Sequence, residues 1–230
     1  MKSGFKTLAA TIATIATIAM CATMEAHAAA PEIDIDYSPL LDAACALVKG
    51  GDIKDEWKEE LSRKKPELEA LWNAVGPTLI SSAEKITGHK FPEGRQTVRL
   101  TLCDMPSQSI AGISVNMRYA LRSFTANPVP LRYKADTLFH ELLHKFLAPH
   151  SSENSPLLKA HASEPDRTRG HLHLLALQKA VLLSVNAPTE YADVVRIDSK
   201  LPGGYYKRAW EIVNATETEY LKYIDEIRLK

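Results

Sequence analysis

The sequence predicts an α+β fold, with a short mixed or antiparallel sheet packed on one central helix and on further helices. Apolar residues recur with helical spacing in the first part of the chain. They alternate with polar residues between Thr97 and Cys103, which is typical of a strand. Helical spacing returns from about Lys134 onward. Strands preceding a long central helix therefore define the predicted architecture.

The first residues of the chain have the pattern of a secretory signal peptide. Lys2 and Lys6 precede an apolar stretch over residues 8–21, and Ala26-His27-Ala28 matches an A-x-A cleavage site. We therefore expect residues 1–28 to be removed and residues 29–230 to form a single domain in the periplasm or outside the cell.

The elements after the signal follow from capping residues and from changes in periodicity. Ser38 is suited to cap a first helix that runs to about Lys49. The remaining expectations are an extended segment over 29–37, helices over 55–72 and 77–87, strands over 98–102, 110–115 and 117–124, and a helix over 134–148.

Composition excludes several classes of partner. The chain has 28 basic and 28 acidic residues and no basic stripe, so a nucleic-acid ligand is not expected. No second apolar run could span a membrane, and we expect a monomer.

After signal removal Cys45 and Cys103 remain. Export favours a disulfide between them, while two separate buried thiols are the alternative.

The strongest motif lies in the predicted central helix, where His140, Glu141 and His144 form H-E-x-x-H. Residues spaced like the two histidines share one helix face, so both imidazoles can reach one metal ion. Glu141 is then placed to handle the proton of a water on that ion. The alternative is a core helix whose histidines are satisfied by hydrogen bonds.

The surroundings of this motif resemble the zincin zinc metallopeptidases. Thr137 precedes the first histidine at the family's spacing, and uncharged Leu138, Leu142, Leu143 and Phe146 surround the core, whereas Lys145 departs from the pattern. The resemblance implies bound Zn²⁺, Glu141 as general base, and a peptide or protein substrate. It also implies that the strand before the helix, residues 117–124 here, pairs with an extended substrate.

Catalytic zinc needs a third protein ligand, and His150 is the first candidate. Its distance from His144 is similar to the ligand spacing of the metzincins, whose glycine is Leu147 here. The preceding Pro149 is similar to the WLM-type peptidases. A terminal proline can stop the helix and turn His150 back toward the metal.

Other residues could supply this ligand from a distance. His171 opens a strongly apolar predicted helix and is the main alternative, followed by His173 and by Glu164, whose spacing resembles the thermolysin-like enzymes. Tyr205 and Tyr206 follow a glycine turn and are candidates either for stabilising an oxyanion or for anchoring a helix.

These observations predict an exported zinc metallohydrolase, most consistent with a peptidase. His140, His144 and His150 would hold Zn²⁺, and Glu141 would act as the base. The alternative is a non-enzymatic periplasmic protein in which the motif helix is structural or binds metal without turnover.

Overall fold

The computed structural model describes residues 31–110, 112–150 and 154–228. The predicted signal peptide and its cleavage point lie outside these ranges. Within them, no helix combines the length and the apolarity that crossing a bilayer requires. The strands are β1 (Glu32–Tyr37), β2 (Arg95–Thr101) and β3 (Ile113–Asn116). The helices are α1 (Pro39–Lys49), α2 (Asp55–Thr87), α3 (Leu131–Leu147), α4 (Pro156–Ala160), α5 (Asp166–Arg169), α6 (Leu172–Ser184), α7 (Pro188–Asp198), α8 (Tyr205–Val213) and α9 (Glu219–Ile227).

The broad prediction of helices with a small sheet is confirmed, but the predicted strand direction is wrong. The strands pair in the order β1-β2-β3, and both pairs are parallel, with Ile35 opposite Val98 and Leu100 opposite Val115. Helices α1 and α2 carry the chain from β1 back to the start of β2, which is the kind of connection that a parallel pair needs. Alternation in sequence identifies a strand and not the direction of its partner.

The elements before the sheet were predicted in part. Ser38 caps α1, accepting a hydrogen bond from the Leu41 N–H. The two helices expected over 55–72 and 77–87 are one helix, α2, which contains Pro66 and Pro77. Next to the second proline, the Trp72 indole lies where a side chain at Gly76 would be, at 2.4 Å from an added Cβ. Only glycine permits that packing.

The predicted strand over residues 117–124 is wrong, because this segment forms a 3₁₀ turn (Arg118–Ala120) and further turns. Side chains satisfy its backbone in place of a neighbouring strand. The Glu60 carboxylate accepts hydrogen bonds from the N–H groups of Arg122 and Ser123, and the Trp57 indole donates to the Ser123 carbonyl. The polar backbone groups therefore need no sheet partner.

Helix α3, expected over 134–148, is present and lies at the centre of the domain. It packs against α2, β3 and α6. Helix α6 is buried along nearly its whole length, which explains its continuous apolar sequence. Because α6 packs on α3, its first residues lie beside the H-E-x-x-H motif.

The Cys45–Cys103 disulfide is formed, joining α1 to the segment that follows β2. It spans 58 positions in the chain. Closing a loop of that length stabilises the fold by about 4 kcal/mol in the chain-entropy model. The bond also fixes the start of the segment that follows β2.

Candidate metal centre

The two histidines of the motif lie on one face of α3. Their ring centroids are 4.9 Å apart. His140 is buried, whereas His144 is half-buried. The ammonium of Lys145, which departs from the zincin pattern, donates a hydrogen bond to Oε1 of Gln96 on β2. Both imidazoles can therefore approach a common point, as the spacing predicts.

His171 joins this pair from the start of α6. Its ring centroid lies 5.5 Å from that of His140 and 5.0 Å from that of His144. One nitrogen of each of the three imidazoles lies within 4.8 Å of the others, close enough to hold a metal ion. We refer to His140, His144 and His171 as the histidine triad.

The structure does not bring His150 to the triad, where the third imidazole is that of His171, the main alternative. Helical backbone continues through Ala148, and the His150 N–H bonds the Leu147 carbonyl. Six residues along a helix correspond to a rotation of about 240°, which turns His150 away from His144. Its ring stacks on His89 at 3.6 Å, the distance between the ring centroids.

The other two candidates also lie in separate environments. Glu164 forms an ion pair with Arg208 at 2.6 Å. The Nε2 atom of His173 lies 2.8 Å from a carboxylate oxygen of Glu226. Both side chains therefore have partners away from the triad.

Hydrogen bonds orient two of the triad imidazoles. The Nδ1–H of His171 donates to the Arg167 carbonyl at 2.6 Å. The Nδ1–H of His140 donates to Oε1 of Gln178 at 3.1 Å. Since a proton on Nδ1 leaves Nε2 unprotonated, both rings present the tautomer that binds a metal through Nε2.

The surroundings keep the triad neutral. Burial lowers the pKa of His144 to about 4 and also lowers the pKa values of His140 and His171. Each neighbouring imidazole that could become positive lowers the pKa of His140 further. Neutral imidazole is the form that coordinates a metal ion, so the three nitrogen donors are in the state that metal binding requires.

Glu141 follows His140 and is only 2% exposed. Burial raises the pKa of its carboxyl to about 8, and a hydrogen bond with Ser109 opposes that rise. Ser109 belongs to the connection between β2 and β3 and was not singled out from the sequence. A lone serine in a loop carries no pattern that would predict such a contact.

Both tyrosines lie near His171, and Tyr206 is the one whose hydroxyl reaches a triad nitrogen. Its hydroxyl lies 3.2 Å from Nε2 of His140, and its ring centroid lies 4.7 Å from that of His171. Helix α8 begins at Tyr205 after Gly204, whose φ of 68° favours glycine. Burial keeps the pKa of the Tyr206 phenol above its usual value, so this group remains a hydrogen-bond donor.

Gln178 offers a test of the metal centre that leaves every ligand in place. We expect Gln178→Leu to weaken zinc affinity roughly 10- to 100-fold, because the His140 ring loses the acceptor that orients it. Competition with a chromophoric chelator measures the affinity. Gln178→Glu keeps an acceptor and is the matched control, expected to bind zinc nearly as wild type does. Unchanged affinity in Gln178→Leu would contradict the role given to this contact.

Comparisons with known proteins give no family for the chain. No protein-family model, no curated protein and no solved structure matches it. The resemblance to zincins therefore stays a prediction from the H-E-x-x-H motif.

Proposed function

We propose that this protein is a zinc-dependent hydrolase of peptide bonds with a zincin-like site. The observation that carries the proposal is the histidine triad, in which neutral imidazoles converge beside a buried carboxyl group. A purely structural role for three clustered imidazoles is a weaker explanation, because removing titratable rings wholly or partly from water costs free energy that ordinary apolar packing avoids.

The residues around the triad have complementary roles in this proposal. A zinc ion on the triad would polarise a carbonyl and lower the pKa of a bound water toward neutrality. Glu141 accepts the proton of the attacking water and delivers it to the departing amine. The Tyr206 hydroxyl donates a hydrogen bond to the oxygen that becomes negative as the carbonyl is attacked.

The substrate edge expected over 117–124 is replaced in this proposal by residues 107–110. The backbone N–H and C=O of Ser114 in β3 are both bonded to Gln108, at 2.8 and 3.0 Å. Ser109 follows Gln108 and contacts Glu141, while its own backbone groups bond no other described residue. An extended peptide could pair with Ser109 by strand addition and pass beside the base.

Export is part of the same proposal. The disulfide between Cys45 and Cys103 suits an oxidising compartment such as the periplasm or the exterior of the cell. The predicted signal peptide points to the same location.

Metal removal tests the proposed function. The purified protein should hydrolyse a mixture of unstructured peptides, lose at least about 10²-fold of this activity on chelation, and regain it with stoichiometric zinc, because the ion supplies the Lewis acid. Mass spectrometry of the peptide products is the readout. Hydrolysis that survives complete zinc removal would contradict the proposal. Tightly bound zinc without cleavage of any peptide would instead support the non-enzymatic alternative.

A further inference from the structure

Arg167 lies at the rim of the histidine triad and has no part in the chemistry described so far. It belongs to the short helix α5, and its carbonyl accepts the hydrogen bond from Nδ1 of His171. That bond fixes the backbone of Arg167 relative to a proposed metal ligand. The side chain extends from a position that is anchored to the site.

The guanidinium group is held against the tyrosines of the site. Its Cζ atom lies 5.7 Å from the ring centroid of Tyr205, and its charge opposes the rise in the pKa of the Tyr205 phenol. Its positive charge lowers the pKa of His171 and opposes the rise in the pKa of Tyr206. A cation is therefore close to the groups that would surround a bound substrate, and contact with an aromatic face reduces its freedom.

Arg167 differs from the arginines around it in its lack of a counter-ion. Arg169 pairs with Asp166, and Arg208 pairs with Glu164. Within the described part of the chain, Arg167 forms no ion pair. Arg167 is exposed, so its planar donors are accessible to a ligand, and planar guanidinium donors are well suited to recognise carboxylates.

We propose that Arg167 binds a carboxylate of the substrate next to the bond that is cleaved. This inference rests on the proposed function. The carboxylate can belong to an aspartate or glutamate side chain or to the peptide C-terminus, since both present the same pair of oxygens to a guanidinium.

Two hydroxamate probes test the inference without turnover. Succinic monohydroxamate carries a zinc-binding group and a carboxylate, and the hydroxamate of succinamide replaces that carboxylate by a neutral amide of the same size. Calorimetry on the zinc-loaded protein should show that the wild type binds the acidic probe at least about fivefold more tightly, the scale of an exposed charge pair. Arg167→Gln should abolish this preference while affinity for the neutral probe is unchanged.

Matched variants separate charge recognition from loss of folding. Arg167→Lys keeps the charge and should retain part of the preference. Arg196→Gln removes an exposed arginine of α7 that pairs with Asp193, and should retain all of it. Equal binding of both probes to the wild type, or an unchanged preference in Arg167→Gln, would overturn the inference while leaving the proposed function intact. If zinc does not bind and neither probe is held, both proposals fail.

Cleavage of paired peptides identifies the source of the carboxylate. Four peptides carry glutamate or glutamine near the cleaved bond, each with a free or an amidated C-terminus. We expect faster cleavage either of the glutamate peptides or of the peptides with a free C-terminus. This difference in rate should fall in Arg167→Gln. Equal rates for all four peptides would contradict carboxylate recognition.

Discussion

Glu141→Gln is expected to abolish peptide hydrolysis while leaving zinc bound. Glutamine has nearly the same shape and can still accept the Ser109 hydrogen bond, but it cannot take a proton from water. Loss of an essential general base should lower the rate by at least about 10²-fold. Measuring kcat/KM and zinc content on the same preparation separates a catalytic effect from a structural one.

Glu164→Gln is the matched control for this substitution. Glu164 pairs with Arg208 outside the triad, so its replacement should leave activity close to that of the wild type. Activity of Glu141→Gln within about tenfold of the wild type would be incompatible with a base-assisted attack of water.

His171→Ala is expected to release zinc, whereas His150→Ala should retain it. His171 offers one of the three nitrogens that can reach a common ion, and its removal leaves only the pair on α3. The loss of affinity should exceed the roughly 10- to 100-fold typical of losing an orienting contact such as that of Gln178. Metal analysis after exhaustive dialysis compares the two variants with the wild type.

His150→Ala is informative because His150, and not His171, has the metzincin ligand spacing relative to His144. Its ring stacks on His89 and contacts Phe146, so truncation should affect stability more than metal content. Retention of zinc in His171→Ala together with its loss in His150→Ala would restore the ligand set predicted from the spacing.

Features of the site that depend on local sequence could be predicted. The spacing of His140 and His144 places both on one helix face whatever the rest of the chain does. The cap at Ser38 likewise depends only on the residues that follow it, and the structure confirms it. In both cases the residues concerned lie within one or two helical turns of each other along the chain.

Features that depend on contacts between residues far apart in the chain were not predicted, or were predicted wrongly. The third imidazole comes from His171 because α6 packs on α3, and spacing along the chain does not report that contact. Residues 117–124 have the alternation of a strand, yet Glu60 on α2 satisfies their backbone and a turn forms. Ser109 and Gln178 stand in no recognisable motif. Their proposed roles depend only on their contacts with Glu141 and His140 in the folded protein.

We propose that His140, His144 and His171 hold one zinc ion. Anomalous diffraction from crystals of the zinc-loaded protein, recorded at the zinc absorption edge, tests it most directly. We expect one peak, at about 2.0–2.1 Å from an imidazole nitrogen of each residue. A peak beside His150 and His89, or no peak in protein crystallised with excess zinc, would contradict the claim.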